Sequence, residues 1–130
     1  MNKVLDTGRM RIEPKENTYL HFSLYADGEI PGKDMVMLRN FLDRFAGKVS
    51  LVVTRDSDYW LSAAAQKVMF KDAADRVHAV AYVDKNKRQE VLSQHAMQTY
   101  LSGGVEVKSC HSLMEAFEWV KGFGKLPEMV

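Results

Sequence analysis

The sequence predicts an α/β (α+β) fold, a mixed sheet with an N-terminal antiparallel hairpin and about four helices. Two observations carry this prediction. Residues 48–122 alternate short β-branched runs with stretches of helical period, which is typical of strands joined by crossover helices. Residues 9–24 alternate apolar with charged or polar side chains, as in a sheet that has one packed face and one wet face. A chain of 130 residues is long enough to bury a core, and we expect a single domain over residues 1–130.

The hairpin is predicted from residues 9–13 and 18–24, which place apolar side chains at every second position. Residues 14–17, which include Pro14 and Asn17, form the turn between them in this interpretation. Residues 25–33 contain two glycines and a proline and are predicted to be a loop.

Residues 34–46 carry an apolar stripe at helical spacing, and Gly47 is placed to end that helix in the left-handed conformation. Residues 49–53 and 77–83 are apolar almost throughout, so both are predicted to be interior strands covered on two faces. Residues 105–109 alternate instead, which predicts an edge strand.

Three further helices are predicted between and after these strands. One covers residues 62–70, after a polar turn at residues 55–58 and the aromatic pair Tyr59 and Trp60. Another covers residues 86–102 and ends at two consecutive glycines. The last begins at Ser112, three residues before Glu115, which is a capping-box spacing.

The segment from Thr54 to Ser62 follows an interior strand, and ligands of α/β sheets usually bind beyond the carboxyl ends of the strands. Thr54, Asp56, Ser57 and Ser62 are therefore the candidate surface for a ligand, a partner or a phosphorylation switch. A solvated turn followed by Ser62 as a helix N-cap is the structural alternative. The basic residues 85–88 follow the next interior strand and are expected at the same edge.

No catalytic or cofactor motif is evident. The four histidines lack metal-ligand spacing, and no glycine-rich phosphate loop occurs. Cys110 and His111 are adjacent in an extended segment and point in opposite directions, so Cys110 is expected to be a half-buried strand-end residue. An enzyme would need distant groups to converge, such as Asp56 with His78 or His95. We therefore expect a protein that is not an enzyme and that binds no cofactor or metal.

Composition also indicates which kinds of partner and which cellular compartment to expect. Eighteen basic and seventeen acidic residues leave no electrostatic footprint for nucleic acid. One cysteine suits a reducing compartment, and neither a signal peptide nor an apolar run of about 20 residues is present. We expect a cytoplasmic protein. Eight methionines and the apolar helix at residues 34–46 suggest a second hypothesis, a pocket for a small molecule or lipid.

Five segments carry a resemblance to a known family: VLDTGRMRI at 4–12, LVV at 51–53, SAAA at 62–65, VHAVAYV at 77–83 and EAFEWV at 115–120. In this order they resemble the STAS-like, or SpoIIAA-like, small bacterial domains (STAS/SEC14-type), relatives of the anti-sigma-factor antagonists. The likeness covers nearly the whole chain. It implies a non-enzymatic domain that binds a protein partner or a small ligand.

In anti-sigma-factor antagonists, phosphorylation of a serine at the start of the second helix switches partner binding. The resemblance makes Ser62 the nearest matching position, although the chain reads Trp-Leu-Ser-Ala there and carries its Asp-Ser doublet earlier, at Asp56 and Ser57. The leading hypothesis is a regulatory domain that binds a protein partner. A small-molecule or lipid-binding domain is the alternative, and an exposed edge strand could pair two copies into a homodimer.

Overall fold

The computed structural model describes residues 3–100 and 104–130. The strands of these ranges are β1 (Leu5–Asp6), β2 (Met10–Lys15), β3 (Tyr19–Leu24), β4 (Gly28–Ile30), β5 (Val49–Arg55), β6 (Tyr59–Leu61), β7 (Val77–Val83) and β8 (Glu106–Cys110). The α-helices are α1 (Gly32–Leu42), α2 (Ala63–Lys67), α3 (Lys87–Tyr100) and α4 (Leu113–Val120). A π-helical segment, Val68–Asp72, follows α2 directly.

Six of these strands form one sheet in the order β1-β2-β3-β5-β7-β8. Strand β2 is antiparallel to both of its neighbours, β1 and β3, whereas β3, β5, β7 and β8 run parallel to one another. This confirms the predicted mixed sheet that starts with an antiparallel hairpin, and β8 lies at an edge as expected. The strands β4 and β6 form a separate two-stranded parallel ribbon.

The order of the parallel strands decides where the helices lie. Each new strand is added on the same side of the previous one, and crossover connections are right-handed, so α1, α2 and α3 must all cover one face. Helix α4 follows the last strand and covers the other face. Strand β5 shows the two layers, because Leu51 and Val53 pack in the core of the first face whereas Val52 packs with Ala116 and Val120 of α4.

The hairpin turn is shorter than predicted, because β2 continues through Pro14 to Lys15. Strand β1 pairs only with Arg11 and Ile12, so Pro14 lies where the outer side of β2 is unpaired and its missing N–H removes no ladder hydrogen bond. The reversal itself falls on Glu16 and Asn17, whose φ angles are 53° and 50°.

Four other details of the prediction were wrong. The predicted loop at residues 25–33 contains β4, and Tyr59 and Trp60, predicted in a turn, belong to β6. Helix α1 starts at Gly32 and stops at Leu42, and Gly47 is not left-handed. The helix ends early because Phe45 forms an isolated antiparallel bridge with Met129.

The remaining helices agree better with the helices predicted from the sequence. The predicted helix at residues 62–70 is divided into α2 and the π-helical segment, and Ser62 caps it by accepting a hydrogen bond from the Ala65 N–H at 3.0 Å. Ser112 caps α4 in the same way. The predicted end of α3 at residues 102–103 lies outside the described residues, and Gly104 just beyond has a φ of 75°.

In the ranges that the structure describes, no helix is long and apolar enough to cross a membrane.

The close approach of α1 to α2 gives a first prediction. A Cβ atom at Gly32 would lie 2.9 Å from the Ala64 Cβ atom, so Gly32→Ala should destabilise the protein by about 1–3 kcal/mol. Ala64→Gly should cost about 1 kcal/mol through helix propensity. Because the second change removes the clashing atom, the double variant should be more stable than the sum of the two losses predicts. Urea denaturation of all four proteins measures this coupling, and strict additivity would contradict the proposed contact.

Candidate functional site

A cavity of about 490 Å³ opens at the carboxyl ends of the parallel strands, on the face covered by α1, α2 and α3. Its floor carries Leu24, Arg55 and Tyr82, which lie at or near the last residues of β3, β5 and β7. The walls come from α1, β6, α2, the π-helical segment and α3. The edge of the sheet that the sequence favoured for a binding site is therefore hollow.

Strand β6 of the two-stranded ribbon forms one wall of this cavity. The Asp56 N–H and the Ser57 hydroxyl both donate to the Leu24 carbonyl, at 2.9 and 2.8 Å, which ties the chain after β5 to the end of β3. From there the chain enters β6, where Tyr59–Leu61 all line the cavity. Met69 lines it from the π-helical segment, a local widening of the helix that is frequent at functional sites.

Arg55 is the buried charge of the cavity floor, with 5% of its side chain exposed. Its Nη1 donates to the Asp84 carboxylate at 2.9 Å and to the Ser93 hydroxyl at 3.1 Å. Its Nε donates to the Tyr59 hydroxyl at 3.0 Å, and its guanidinium lies 4.2 Å above the centre of the Tyr82 ring. Burial raises the pKa of the Tyr82 phenol, which therefore stays neutral.

Asp84 neutralises the Arg55 charge from the side that faces away from the cavity. The Asp84 side chain is fully buried and does not line the cavity. It accepts hydrogen bonds from Ser93 on α3 at 2.9 Å and from Ser109 on β8 at 2.5 Å. A buried ion pair is tolerated when further hydrogen bonds support the two ions, and here they engage the Asp84 carboxylate and two of the three nitrogens of Arg55. Among the described residues, no hydrogen bond engages the remaining nitrogen of Arg55, Nη2.

The predicted site residues are distributed over three places. Asp56 and Ser57 line an open polar cleft next to the cavity, where Asp56 pairs with Lys85. Ser62 lies beyond β6 as the cap of α2. Thr54 is 6% exposed and lies on the other face of the sheet, where its hydroxyl is 2.9 Å from the Nε2 atom of His21. Burial is the main cause that lowers the pKa of His21.

The basic residues after β7 lie where the sequence placed them. Lys85 pairs with Asp56, and Arg88 lies 3.4 Å from the Asp58 carboxylate. Arg88 also reaches the cavity wall. Lys85 therefore belongs to the polar cleft, whereas Arg88 lies between the cavity wall and Asp58 of the cleft.

The converging groups that an enzyme would need are not brought together at Asp56. His78 lies near the start of β7, 2.9 Å from the Ser50 hydroxyl, and six residues of extended chain, about 20 Å, separate Ser50 from Asp56. His95 lines the cavity whereas Asp56 lines the separate cleft. No cluster of metal-ligating side chains occurs within the part of the chain that the structure describes.

Cys110 is more buried than expected, with no exposed surface. Burial, followed by the charge of Glu115, raises the pKa of its thiol to about 11. A thiol with this pKa is protonated at neutral pH and is a poor nucleophile.

Sequence reasoning missed the pair of Arg55 and Asp84, since it assigned Arg55 to a polar turn. A signal was present in the alternation of the two strands. Arg55 continues the face of Leu51 and Val53, and Asp84 continues the face of Tyr82. Two residues of opposite charge that face the same side of the sheet, at the ends of two adjacent strands, predict an ion pair.

One solved structure with a similar fold is an uncharacterized protein of the DUF3478 family from Shewanella loihica PV-4, described as having a SpoIIAA-like fold. The two chains are 19% identical and superpose with a TM-score of 0.63, over 85% of this chain and 91% of the other. The predicted resemblance is thereby confirmed at the level of the fold, which does not by itself define a function. No family model and no curated protein matches the chain.

The buried pair gives the second prediction. Asp84→Asn leaves the Arg55 charge buried without a counter-charge, so it should lower the free energy of unfolding by about 3–5 kcal/mol. Adding Arg55→Met removes the second charge and should recover part of that loss. Urea denaturation measures both effects. The matched control is Asp58→Asn, which breaks an exposed pair and should leave stability nearly unchanged; equal losses in Asp84→Asn and Asp58→Asn would contradict the role of burial.

Proposed function

We propose that this protein, whose fold is SpoIIAA-like, binds a small apolar molecule in the cavity at the carboxyl ends of its parallel strands. The observation that carries the proposal is the cavity itself, of about 490 Å³. Small-molecule sites usually occupy about 300–1,000 Å³, and protein interiors otherwise leave few voids larger than a water molecule. A hollow of this size favours the small-molecule hypothesis over a domain whose core is solid.

The chemistry of the walls supports an apolar ligand. Leu24, Met35, Leu61 and Met69 reach the cavity from four different elements, and Ala96 of α3 faces them. Methionine side chains are unbranched and polarizable, so they adapt to ligands of different shape. Met35 and Met69, two of the eight methionines in the sequence, thus line the cavity.

The mouth of the cavity is marked by exposed apolar surface. Trp60 is 58% exposed and Leu92 is 41% exposed, and both line the cavity. Large apolar side chains that stay in contact with water around an opening are typical of ligand-binding grooves. Access from solvent therefore requires no rearrangement of the sheet.

The third prediction tests this function with a neutral dye, N-phenyl-1-naphthylamine, whose fluorescence rises in apolar surroundings. The wild-type protein should bind it saturably at one site. Ala96→Phe fills the cavity and should weaken binding by about tenfold or more. Leu113→Phe, on α4 across the sheet, adds a ring elsewhere and should bind as the wild type does.

Cooperative unfolding in urea is required of each variant. If Ala96→Phe does not fold, Leu92→Lys places a charge in the same wall at an exposed position and serves instead. If Ala96→Phe or Leu92→Lys folds and binds the dye as tightly as the wild type does, the proposal is wrong.

Binding of a protein partner, switched at Ser62, is the second candidate function. The resemblance implies it, and one observation favours the position. Ser62 is partly exposed and lies two residues after Trp60, the large aromatic side chain with 58% exposure. Exposed tryptophans are common anchors of protein interfaces. A phosphate on Ser62 would add nearly two negative charges beside that anchor.

The fourth prediction separates charge from helix capping at this position. Asp and Asn both cap helices well, but only Asp carries a charge. A partner controlled by phosphorylation should be captured from a lysate of the source organism by the wild type and by Ser62→Asn, and lost with Ser62→Asp. Mass spectrometry identifies the captured proteins. Identical sets with all three baits would argue against the switch.

A further inference from the structure

The charges that line the cavity are all of one sign. Among the described residues, the charged side chains of the wall are Arg55 and Arg88, and none is a carboxylate. The nearest buried carboxylate, Asp84, lies behind Arg55 and does not reach the cavity. An uncharged apolar ligand would not interact electrostatically with these two positive charges.

From this asymmetry we infer that the ligand carries one acidic group, such as a carboxylate, on an apolar body. The inference deepens the proposed function and rests on it. It assigns the acidic group to the part of the cavity between Arg55 on the floor and Arg88 at the mouth.

Arg55 is prepared for such a group before the ligand arrives. Bonds to Asp84, Ser93 and Tyr59 hold its guanidinium in place, so little conformational freedom is lost when an acid binds. Those bonds use Nε and Nη1, and a guanidinium has five N–H donors in a fixed fork. Nη2 is the donor with which a ligand oxygen would bond.

Arg88 supplies the second charge at low cost. Its side chain is 73% exposed, and its partner Asp58 is 87% exposed, at a distance of 3.4 Å. Exposed pairs of this kind contribute little to stability. Arg88 can therefore turn from Asp58 to a ligand acid at the mouth without a loss of fold stability.

The neighbouring cleft limits the charge of the ligand. Asp27, Asp56 and Asp58 line that cleft directly beside the cavity. Their carboxylates weaken the attraction of the two arginines for any anion. That attraction grows in proportion to the charge of the ligand, whereas the cost of removing the charge from water grows with its square, so a second negative charge is less favoured than the first. The site therefore fits a monoacid better than a phosphate ester.

The fifth prediction compares octanoate with octanol as competitors of N-phenyl-1-naphthylamine. The two molecules have the same chain length and differ in the acidic group. In an uncharged apolar cavity octanol displaces the dye more readily, because a carboxylate is costly to desolvate. In this protein octanoate should be the better competitor, and Arg88→Gln should reduce its advantage by about threefold to fivefold.

Lys85→Gln is the matched control, since it removes one positive charge from the polar cleft and leaves the cavity wall intact. Octanol equal to or better than octanoate with wild-type protein would overturn the inference while the dye still binds. An advantage of octanoate that is lost in Lys85→Gln and kept in Arg88→Gln would also overturn it. Absence of saturable dye binding would instead remove the proposed function, so the two failures are distinct.

Discussion

The contact between the Arg55 guanidinium and the Asp84 carboxylate organises the edge of the sheet at which the cavity opens. Arg55 ends β5 and Asp84 follows β7, so the pair joins two central strands. Ser93 connects it to α3, Ser109 connects it to β8, and Tyr59 connects it to the ribbon. Since two buried ions are stable only while both are present and hydrogen-bonded, these five side chains are constrained together, and with them the floor and one wall of the cavity.

Elements that depend on local pattern could be predicted from the sequence, and elements that depend on distant contacts could not. The continuous apolar run of strand β7 and the buried stripe of α1 at helical spacing are local patterns, and both elements were predicted. Strands β4 and β6 have only three residues each and are specified by pairing with one another, as at Gly28 and Tyr59. Such short strands carry no period of their own.

The candidate site shows the same division. The edge of the sheet and the proximity of Asp56 to Lys85 follow from parallel strands ending together, so topology sufficed. The side of the sheet depends on strand parity, which puts Thr54 on one face and Arg55 on the other. Arg55 was assigned to a turn because its burial depends on Asp84, 29 residues away in the chain.

The one-directional order of the parallel strands also has a consequence for how the chain folds. The pairs Leu20–Leu51, Val52–Ala81 and Ala81–Lys108 each join residues about 30 positions apart, whereas β2 and β3 pair across a three-residue turn. Closing long loops slows folding. We therefore expect the hairpin to form first and to act as the template on which β5, β7 and β8 are added in turn, so that the cavity is completed late in folding.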